Sequence, residues 1–309
     1  MASLQRTLPS RHMSPLSDTA NRKGILAICL AMALFIANDA LVKHVSASLP
    51  AAQLIFVRGL FATGLLLVAA FLMGALRPGA LAQADAWQQL TQRPVMARAA
   101  LDALATMAYL TSLFHLPIGN ASAINMASPM FIALYAAIAW REQVSMSRWL
   151  AIAGGFAGVL LIVQPAADAF NAWSLLCLFA TLLHTARDLI TRQIALSVPS
   201  ILITLTTSIA VLLLTGPWSL LQGWAPLDST QLTLLAIASV FLSSAYYLVI
   251  VGMRSGDLSL VAPFRYTGLI FALLVGWLVW GDVPNAWSWS GIVLMVASGL
   301  FMLRRQRGS

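Results

Sequence analysis

The chain has 309 residues, of which 60% are hydrophobic and only 9% are charged. A soluble domain carries about 25% charged residues, so this composition excludes an ordinary soluble protein and indicates a polytopic membrane protein. The net charge is +8, and the two cysteines, Cys29 and Cys177, both lie in apolar runs, which excludes a disulfide framework.

Ten mostly apolar runs follow one another along the chain, separated by short joins that contain turn residues. A spanning helix needs roughly 20 apolar residues, because the hydrocarbon core of a bilayer is about 30 Å thick. The runs are 24–45, 51–73, 95–115, 118–140, 149–164, 173–191, 200–215, 231–252, 260–280 and 287–303. The sequence therefore predicts an all-α integral membrane protein with ten transmembrane helices.

Lysine and arginine are concentrated in the joins that would share one side of the membrane. With the N-terminus in the cytoplasm, thirteen of these residues fall in cytoplasmic segments and none falls clearly in the external joins, which are 164–172, 215–230 and 281–286. This positive-inside pattern predicts a multi-pass protein of the bacterial inner membrane, with cytoplasmic tails at 1–23 and 304–309. It also accounts for the net charge without a nucleic-acid partner.

The second half of the chain repeats the first. "ANDALVKHVSASLP" (37–50) matches "ARDLITRQIALSVP" (186–199) at an offset of 149 residues, and "AYLTSLFHLPIGNAS" (108–122) matches "AYYLVIVGMRSGDLS" (245–259) at an offset of 137. Five helices thus repeat as five helices, and an odd number per repeat turns the second repeat over in the membrane. Inverted repeats are a common construction of secondary transporters, with the binding site between the halves.

Particular residues and runs stand at positions typical of one transporter family. They are Asp39, Lys43, Pro50, Arg58, "ASPMFIALYAAIAWREQ" (127–143) and "LVAPFRYTGLIFALLVGWLVWGD" (260–282). In these the chain resembles a ten-helix permease of the drug/metabolite transporter superfamily, built from two EamA-type repeats, here 24–166 and 167–303. The resemblance implies a basket of helices around a central cavity, with the fifth and tenth helices more peripheral. Arg58 is matched by Thr207, so the two halves are not chemically equivalent.

Eight charged residues lie within the predicted spans, where an ionised side chain costs about 2.5–3.5 kcal/mol and usually faces a partner or a wet cavity. They are Asp39, Lys43, Arg58, Arg98, Asp102, Arg187, Asp188 and Arg265. Five bases and three acids would give the interior a charge of +2, which favours an anionic or zwitterionic substrate. We expect Lys43 to be an anchor at the outer boundary, and the other seven are candidates for substrate binding or coupling.

Asp39 and Asp188 occupy equivalent positions in the two repeats but have different neighbours. Asp188 is flanked by Arg187 and Arg192, whose positive charges would hold it ionised. Asp39 lacks this pair of arginines, and burial disfavours the charged form of a carboxyl group. The comparison predicts that Asp39 exchanges protons during transport and that Asp188 is structural.

The remaining charged candidates need partners of different kinds. Arg98 and Asp102 are four residues apart and therefore share a helix face. They form either a structural ion pair or, with Tyr109, a polar wall of the cavity. Arg58 and Arg265 have no acid nearby on their own helices, so each needs another helix, water or substrate; an anchor at the inner surface is the alternative for Arg265.

Two uncharged residues complete the candidate set. Asn125 shares a face of the fourth predicted helix with Pro129, which removes a backbone hydrogen bond and can open a kink. Carbonyl groups freed in this way are tolerated in a membrane where they line a cavity. Tyr246 lies in a predicted span, where a tyrosine can bury its ring and still offer its hydroxyl; ordinary packing is the alternative.

The sequence contains no HExxH motif, paired His/Asp motif or phosphate-binding loop, so we expect neither an enzyme nor a metal or other cofactor. "GGFAG" (154–158) is not a phosphate loop, because no strand precedes it and no lysine follows, and its small residues predict close helix packing. The expected partners are a small-molecule substrate and the lipid bilayer, with protons as a candidate coupling ion, and the protein is expected as a monomer or homodimer.

The resemblance favours a cargo with a planar ring. "ND…VK", "FVRG" and "GDLSLVAPFRYTGL" look similar to importers of riboflavin or of S-adenosylmethionine. Export of amino acids, drugs or other metabolites is the alternative, because import and export use the same alternating-access chemistry.

Overall fold

The computed structural model describes residues 15–75, 91–139, 146–164, 171–191, 193–194, 198–255 and 261–305. Regular structure in these ranges is entirely helical. The helices are α1 (Pro15–Val45), α2 (Ala51–Leu72), α3 (Arg93–His115), α4 (Ile118–Asn125), α5 (Ser128–Ala139), α6 (Met146–Val163), α7 (Ala172–Thr191), α8 (Ser200–Gln222), α9 (Ser229–Ser255), a 3-10 helix (Ala262–Tyr266), α10 (Thr267–Trp280) and α11 (Ala286–Arg305). Residues 1–14 of the predicted N-terminal tail, residues 306–309 of the C-terminal tail and Arg192 lie outside the described residues.

Six helical segments are long and apolar enough to cross a membrane, judged by length and composition. They are Thr19–Val45, Ala51–Leu72, Ala172–Thr191, Ser200–Gln222, Ser229–Val249 and Pro263–Trp280, and the shorter Trp149–Val163 and Ala286–Phe301 are also apolar. The all-helical fold predicted from the sequence is confirmed for the described residues. The number of ten spans stays a prediction.

The first helix begins earlier than its apolar run suggests. α1 starts at Pro15, inside the predicted tail 1–23. A proline suits the first turn of a helix, since its missing N–H would have no intrahelical partner there. The extra turns carry polar residues and precede the apolar segment that begins at Thr19.

The run 118–140 is not the single helix that its length predicts. α4 ends at Asn125, Met126 and Ala127 form a turn, and α5 begins at Ser128. Pro129 explains the position of the break, because a proline ring clashes with the carbonyl group four residues earlier, here that of Asn125. The predicted kink is therefore a full interruption of the helix.

The other run with an early proline is irregular in a similar way. The described part of 260–280 begins with a 3-10 helix at Ala262–Tyr266, which contains Pro263, and becomes α-helical at Thr267. Short 3-10 segments are frequent where α-helices begin. Both runs that we predicted as continuous helices thus change conformation close to a proline.

Helix contacts follow a regular scheme. The four most extensive contacts are α1 with α9, α3 with α7, α6 with α11 and α2 with α8, and α4 also contacts α10. If the second half repeats the first, α1–α9 is the counterpart of α7–α3. The contacts α2–α8, α6–α11 and α4–α10 each join a helix of the first half to the corresponding helix of the second half.

Two glycines allow α6 and α11 to cross at close range. A Cβ atom on Gly158 would lie 2.7 Å from the carbonyl oxygen of Gly291, and one on Gly291 would lie 2.5 Å from the carbonyl oxygen of Gly158. Only residues without a side chain fit such a backbone approach. The close packing predicted from "GGFAG" is therefore confirmed, and it joins the last helix of each half.

Candidate functional site

The first polar group between the helices is the Asp39 cluster, which we define as Asn38, Asp39, Arg58, Tyr109 and Ser239. The Tyr109 hydroxyl donates a hydrogen bond to Oδ2 of Asp39 at 3.0 Å, and Nδ2 of Asn38 donates to Oδ1 at 2.9 Å. Both oxygens of the Asp39 carboxyl group therefore accept hydrogen bonds from uncharged groups.

Arg58 lies beside that carboxyl group without forming an ion pair with it. The residue is only 6% exposed, and its Nη1 donates to Oδ1 of Asn38 at 3.3 Å. Its backbone carbonyl accepts a hydrogen bond from Oγ of Ser239 at 3.0 Å, whereas its Nε is buried without a partner among the described residues. Arg58 thus finds the predicted partner on another helix, but that partner is an amide.

The second polar group is the Asp102 cluster, which we define as Arg98, Asp102, Arg187 and Asp188. Nη1 of Arg187 lies 2.6 Å from Oδ1 of Asp102. Nη2 and Nε of the same guanidinium lie 2.8 and 3.0 Å from Oδ1 of Asp188. Arg187 is therefore held between two carboxylates, one from α3 and one from its own helix.

Arg98 is the outer member of this cluster. Its Nη1 is 3.8 Å from Oδ2 of Asp102, while shorter hydrogen bonds run to the hydroxyls of Thr207 at 2.6 Å and Thr191 at 3.0 Å. The predicted pair on one face of α3 is thus long, and the short ion pair of Asp102 is with Arg187. Spacing on a single helix could not reveal a partner 85 residues away.

His184, which the sequence predicts as a polar packing residue and not as a site residue, connects two of the predicted site residues. Its Nδ1 lies 3.0 Å from Oδ1 of Asn125, and its ring centroid is 6.1 Å from that of Tyr109. Because His184 is four residues before Asp188 on α7, both side chains lie on one face of that helix. That spacing is the signal that could have found it.

Tyr246 lies between the two clusters. Its ring meets that of Phe35 edge-on, with centroids 5.1 Å apart and an interplanar angle of 86°. The phenol is within electrostatic range of Arg58, Arg98 and Arg187, yet the residue is 44% exposed. Tyr246 is therefore close to arginines of both clusters.

Lys43 lies outside both clusters. Its Nζ donates hydrogen bonds to the backbone carbonyl oxygens of Leu113, at 2.9 Å, and of Leu116. It also lies 5.6 Å from the centroid of the Trp280 ring, in a cation–π contact. The last carbonyl groups of a helix have no intrahelical partner, so Lys43 completes the end of α3, a more specific role than the predicted boundary anchor.

Arg265 is also apart from the clusters. It is exposed in the 3-10 helix, and no described hydrogen bond or ion pair joins it to them. Without Lys43 and Arg265 the gathered charges are balanced, which corrects the predicted excess of +2. The six charged residues of the two clusters are Asp39, Arg58, Arg98, Asp102, Arg187 and Asp188. Within the described residues, no group of three or more His, Cys, Asp or Glu side chains could hold a metal ion.

Comparison with known sequences identifies one family. The sequence model of the EamA-like transporter family matches residues 22–164 and again residues 171–304. Together the two matches cover nearly the whole chain, and each corresponds to one half of the internal repeat.

Individual relatives differ in the cargo for which they are named. The chain is 33% identical to a riboflavin transporter of Rhizobium johnstonii over 223 residues, covering 71% of each protein. It is 28% identical to the pseudopaline exporter CntI of Pseudomonas aeruginosa over 299 residues, covering 93% of this chain and 98% of that one. A solved crystal structure with 18% sequence identity matches 94% of the chain with a TM-score of 0.62, which supports the fold alone.

Proposed function

Since this chain belongs to the EamA-like transporter family, within the drug/metabolite transporter superfamily, we propose that it is a secondary transporter that moves a small polar metabolite across the bacterial inner membrane by alternating access. It is a transporter and not an enzyme. The observation that carries the proposal is the pair of balanced polar clusters among apolar helices, with Tyr246 between them. Charged side chains inside a membrane typically mark the path of a substrate or ion.

The proposed architecture is ten transmembrane helices in two inverted repeats, 24–166 and 167–303, with both termini in the cytoplasm. Its support is the reciprocal scheme of helix contacts, in which α1–α9 mirrors α7–α3, together with the two family matches. In such proteins the substrate binds near the bilayer midplane, where the repeats meet. We assign substrate binding and coupling to Asp39, Arg58, Arg98, Asp102, Tyr109, Asn125, Arg187, Asp188 and Tyr246, with Arg265 as a contact at the inner entrance.

The cargo we propose is riboflavin or a similar uncharged metabolite with a planar ring. A relative named as a riboflavin transporter shares 33% identity. The balanced charge of the two clusters favours a cargo without net charge, and riboflavin is neutral at pH 7, whereas S-adenosylmethionine is a cation. Export is the second candidate, because the pseudopaline exporter matches over 93% of the chain.

Counterflow in liposomes tests the proposal. Purified protein is reconstituted with unlabelled riboflavin inside, and entry of radiolabelled riboflavin is followed over time. We expect saturable entry that Arg58→Gln reduces at least about tenfold, the factor that corresponds to 1.4 kcal/mol. Thr204→Ala is the control, since this exposed hydroxyl bonds only to its own helix in the described structure, and it should transport as the unaltered protein does. Entry no faster than in empty liposomes would reject riboflavin as the cargo.

A further inference from the structure

Asp188 and Asp39 differ in how many of their carboxyl oxygens accept hydrogen bonds from the described residues. Both oxygens of Asp39 accept hydrogen bonds, from Tyr109 and Asn38. In Asp188 a single oxygen, Oδ1, accepts both contacts from Arg187. Oδ2 has no partner among the described residues, and the side chain is 43% exposed. The repeat predicts a structural role for Asp188, but within the described part of the chain its carboxylate is oriented through one oxygen only.

Asp188 lies among polar and charged side chains. Arg98 and His184 interact electrostatically with it, and Arg187 fixes its orientation. Asp188 is three residues before the end of α7 at Thr191. Because lipid would not solvate a partly exposed carboxylate with these neighbours, we infer that it borders a water-accessible space. A ligand in that space can reach Oδ2 without displacing an existing hydrogen bond.

The charge around Asp188 determines which donors suit it. Arg187 already neutralises the carboxylate at 2.8 Å, and Arg98 adds a second positive charge nearby. With Asp102 included, the cluster has two positive and two negative groups, so it has no excess negative charge to attract an ammonium group on the ligand. Hydroxyl donors do not need such an excess, and a hydrogen bond to a charged acceptor is stronger than one between neutral groups.

We propose that Asp188 binds the hydroxyl groups of an uncharged, polyhydroxylated cargo and so determines selectivity for the chain of hydroxyls rather than for the ring. This inference rests on the proposed function, because it assumes a cargo that enters the space between the two clusters. The hydroxyl chain of the cargo would then bind at α7, and the Asp39 cluster would serve proton exchange.

Riboflavin and lumiflavin share the same ring, but only riboflavin carries the ribityl chain with its hydroxyls. Their dissociation constants for the purified full-length protein can be measured by quenching of flavin fluorescence. In Asp188→Ala we expect riboflavin to bind about tenfold more weakly, the loss of one charge-assisted hydrogen bond. Lumiflavin binding should change less than twofold. Asp188→Asn keeps one acceptor oxygen and should lose only about threefold for riboflavin.

The control is Thr204→Ala, whose hydroxyl bonds only to its own helix in the described structure and which should leave the ratio of the two dissociation constants unchanged. Asp188→Ala should fold, because Arg187 keeps its 2.6 Å contact with Asp102; a melting curve checks this, and Asp188→Ser replaces the variant if it unfolds. Equal changes for both flavins, or none, would overturn the inference while riboflavin stands as cargo. If the unaltered protein binds neither flavin, the inference and the proposed cargo are both overturned.

Discussion

The Asp39 cluster and the Asp102 cluster occupy equivalent places in the two repeats but are stabilised by different chemistry. The offset of 149 residues pairs Asn38 with Arg187, Asp39 with Asp188 and Arg58 with Thr207, and the offset of 137 pairs Asp102 with Ser239. The first cluster bonds its carboxylate to an amide and a phenol, whereas the second brackets an arginine between two carboxylates. Equivalent positions of the two repeats therefore form one cluster whose carboxylate is bonded by neutral donors and one cluster held together by ion pairs.

The position of the arginine explains the difference. In the first repeat it is Arg58 on α2, where its only described side-chain partner is the amide of Asn38. In the second repeat it is Arg187 on α7, directly beside the aspartate of the repeated motif. The site is weakly paired when the arginine lies on the second helix of a repeat, as in α2. It is strongly paired when the arginine lies on the first helix of a repeat, as in α7. We infer that the Asp102 cluster contributes more to stability and that the Asp39 cluster changes its hydrogen bonds more easily.

The largest effect should follow from breaking the ionic cluster at Asp102. Asp102→Ala leaves Arg187 with the exposed Asp188 alone and removes the acidic partner of Arg98. Because Asp188 still compensates the charge of Arg187, we expect a loss of about 1.5–3 kcal/mol, the contribution of a hydrogen bond to a charged group. Thermal unfolding of the purified protein in one detergent measures the loss.

Ser239→Ala is the matched control, since Ser239 is the counterpart of Asp102 in the other repeat. It removes one hydrogen bond to the backbone of Arg58, and such a bond contributes about 0.5–1.5 kcal/mol. Equal losses in Asp102→Ala and Ser239→Ala would show that the ionic cluster is not the more stabilising of the two.

An intermediate effect is expected when the acidity of Asp39 is removed. Asp39→Asn keeps the shape and one acceptor oxygen, so the hydrogen bond from Tyr109 can persist and the protein should fold. If Asp39 exchanges protons during transport, the variant should move its cargo about tenfold more slowly, equivalent to 1.4 kcal/mol. Its rate should also no longer vary with pH between 5 and 8.

Initial rates in liposomes at a series of equal internal and external pH values provide the measurement for Asp39. Asp188→Asn is the comparison, because we propose that this residue binds cargo and does not carry the proton. Its rate should keep the pH profile of the unaltered protein. Unchanged and still pH-dependent transport by Asp39→Asn would eliminate Asp39 as the coupling residue.

Much of the difference between the Asp39 cluster and the Asp102 cluster could be predicted from the sequence. Hydropathy located the helices, the repeat identified Asp39 and Asp188 as counterparts, and the mismatch of Arg58 with Thr207 indicated unequal halves. The ion pair between Asp102 and Arg187 was not predictable, because it joins different helices and depends on their packing. The partners of Lys43 were hidden for another reason: they are backbone carbonyl groups, which any residue supplies.

The smallest expected difference is in the stability of variants at Tyr109 and Tyr246, which occupy equivalent positions in the two repeats at an offset of 137 residues. Tyr109→Phe removes the hydroxyl that bonds Asp39 and should cost about 1–2 kcal/mol, since a buried acceptor then lacks one donor. In Tyr246→Phe the lost hydroxyl has no hydrogen-bond partner among the described residues, and the ring contact with Phe35 remains. The unfolding midpoint should therefore fall clearly for Tyr109→Phe and stay nearly constant for Tyr246→Phe. The reverse order would mean that Tyr246 stabilises the fold and that the space between the clusters is packed instead of open to cargo.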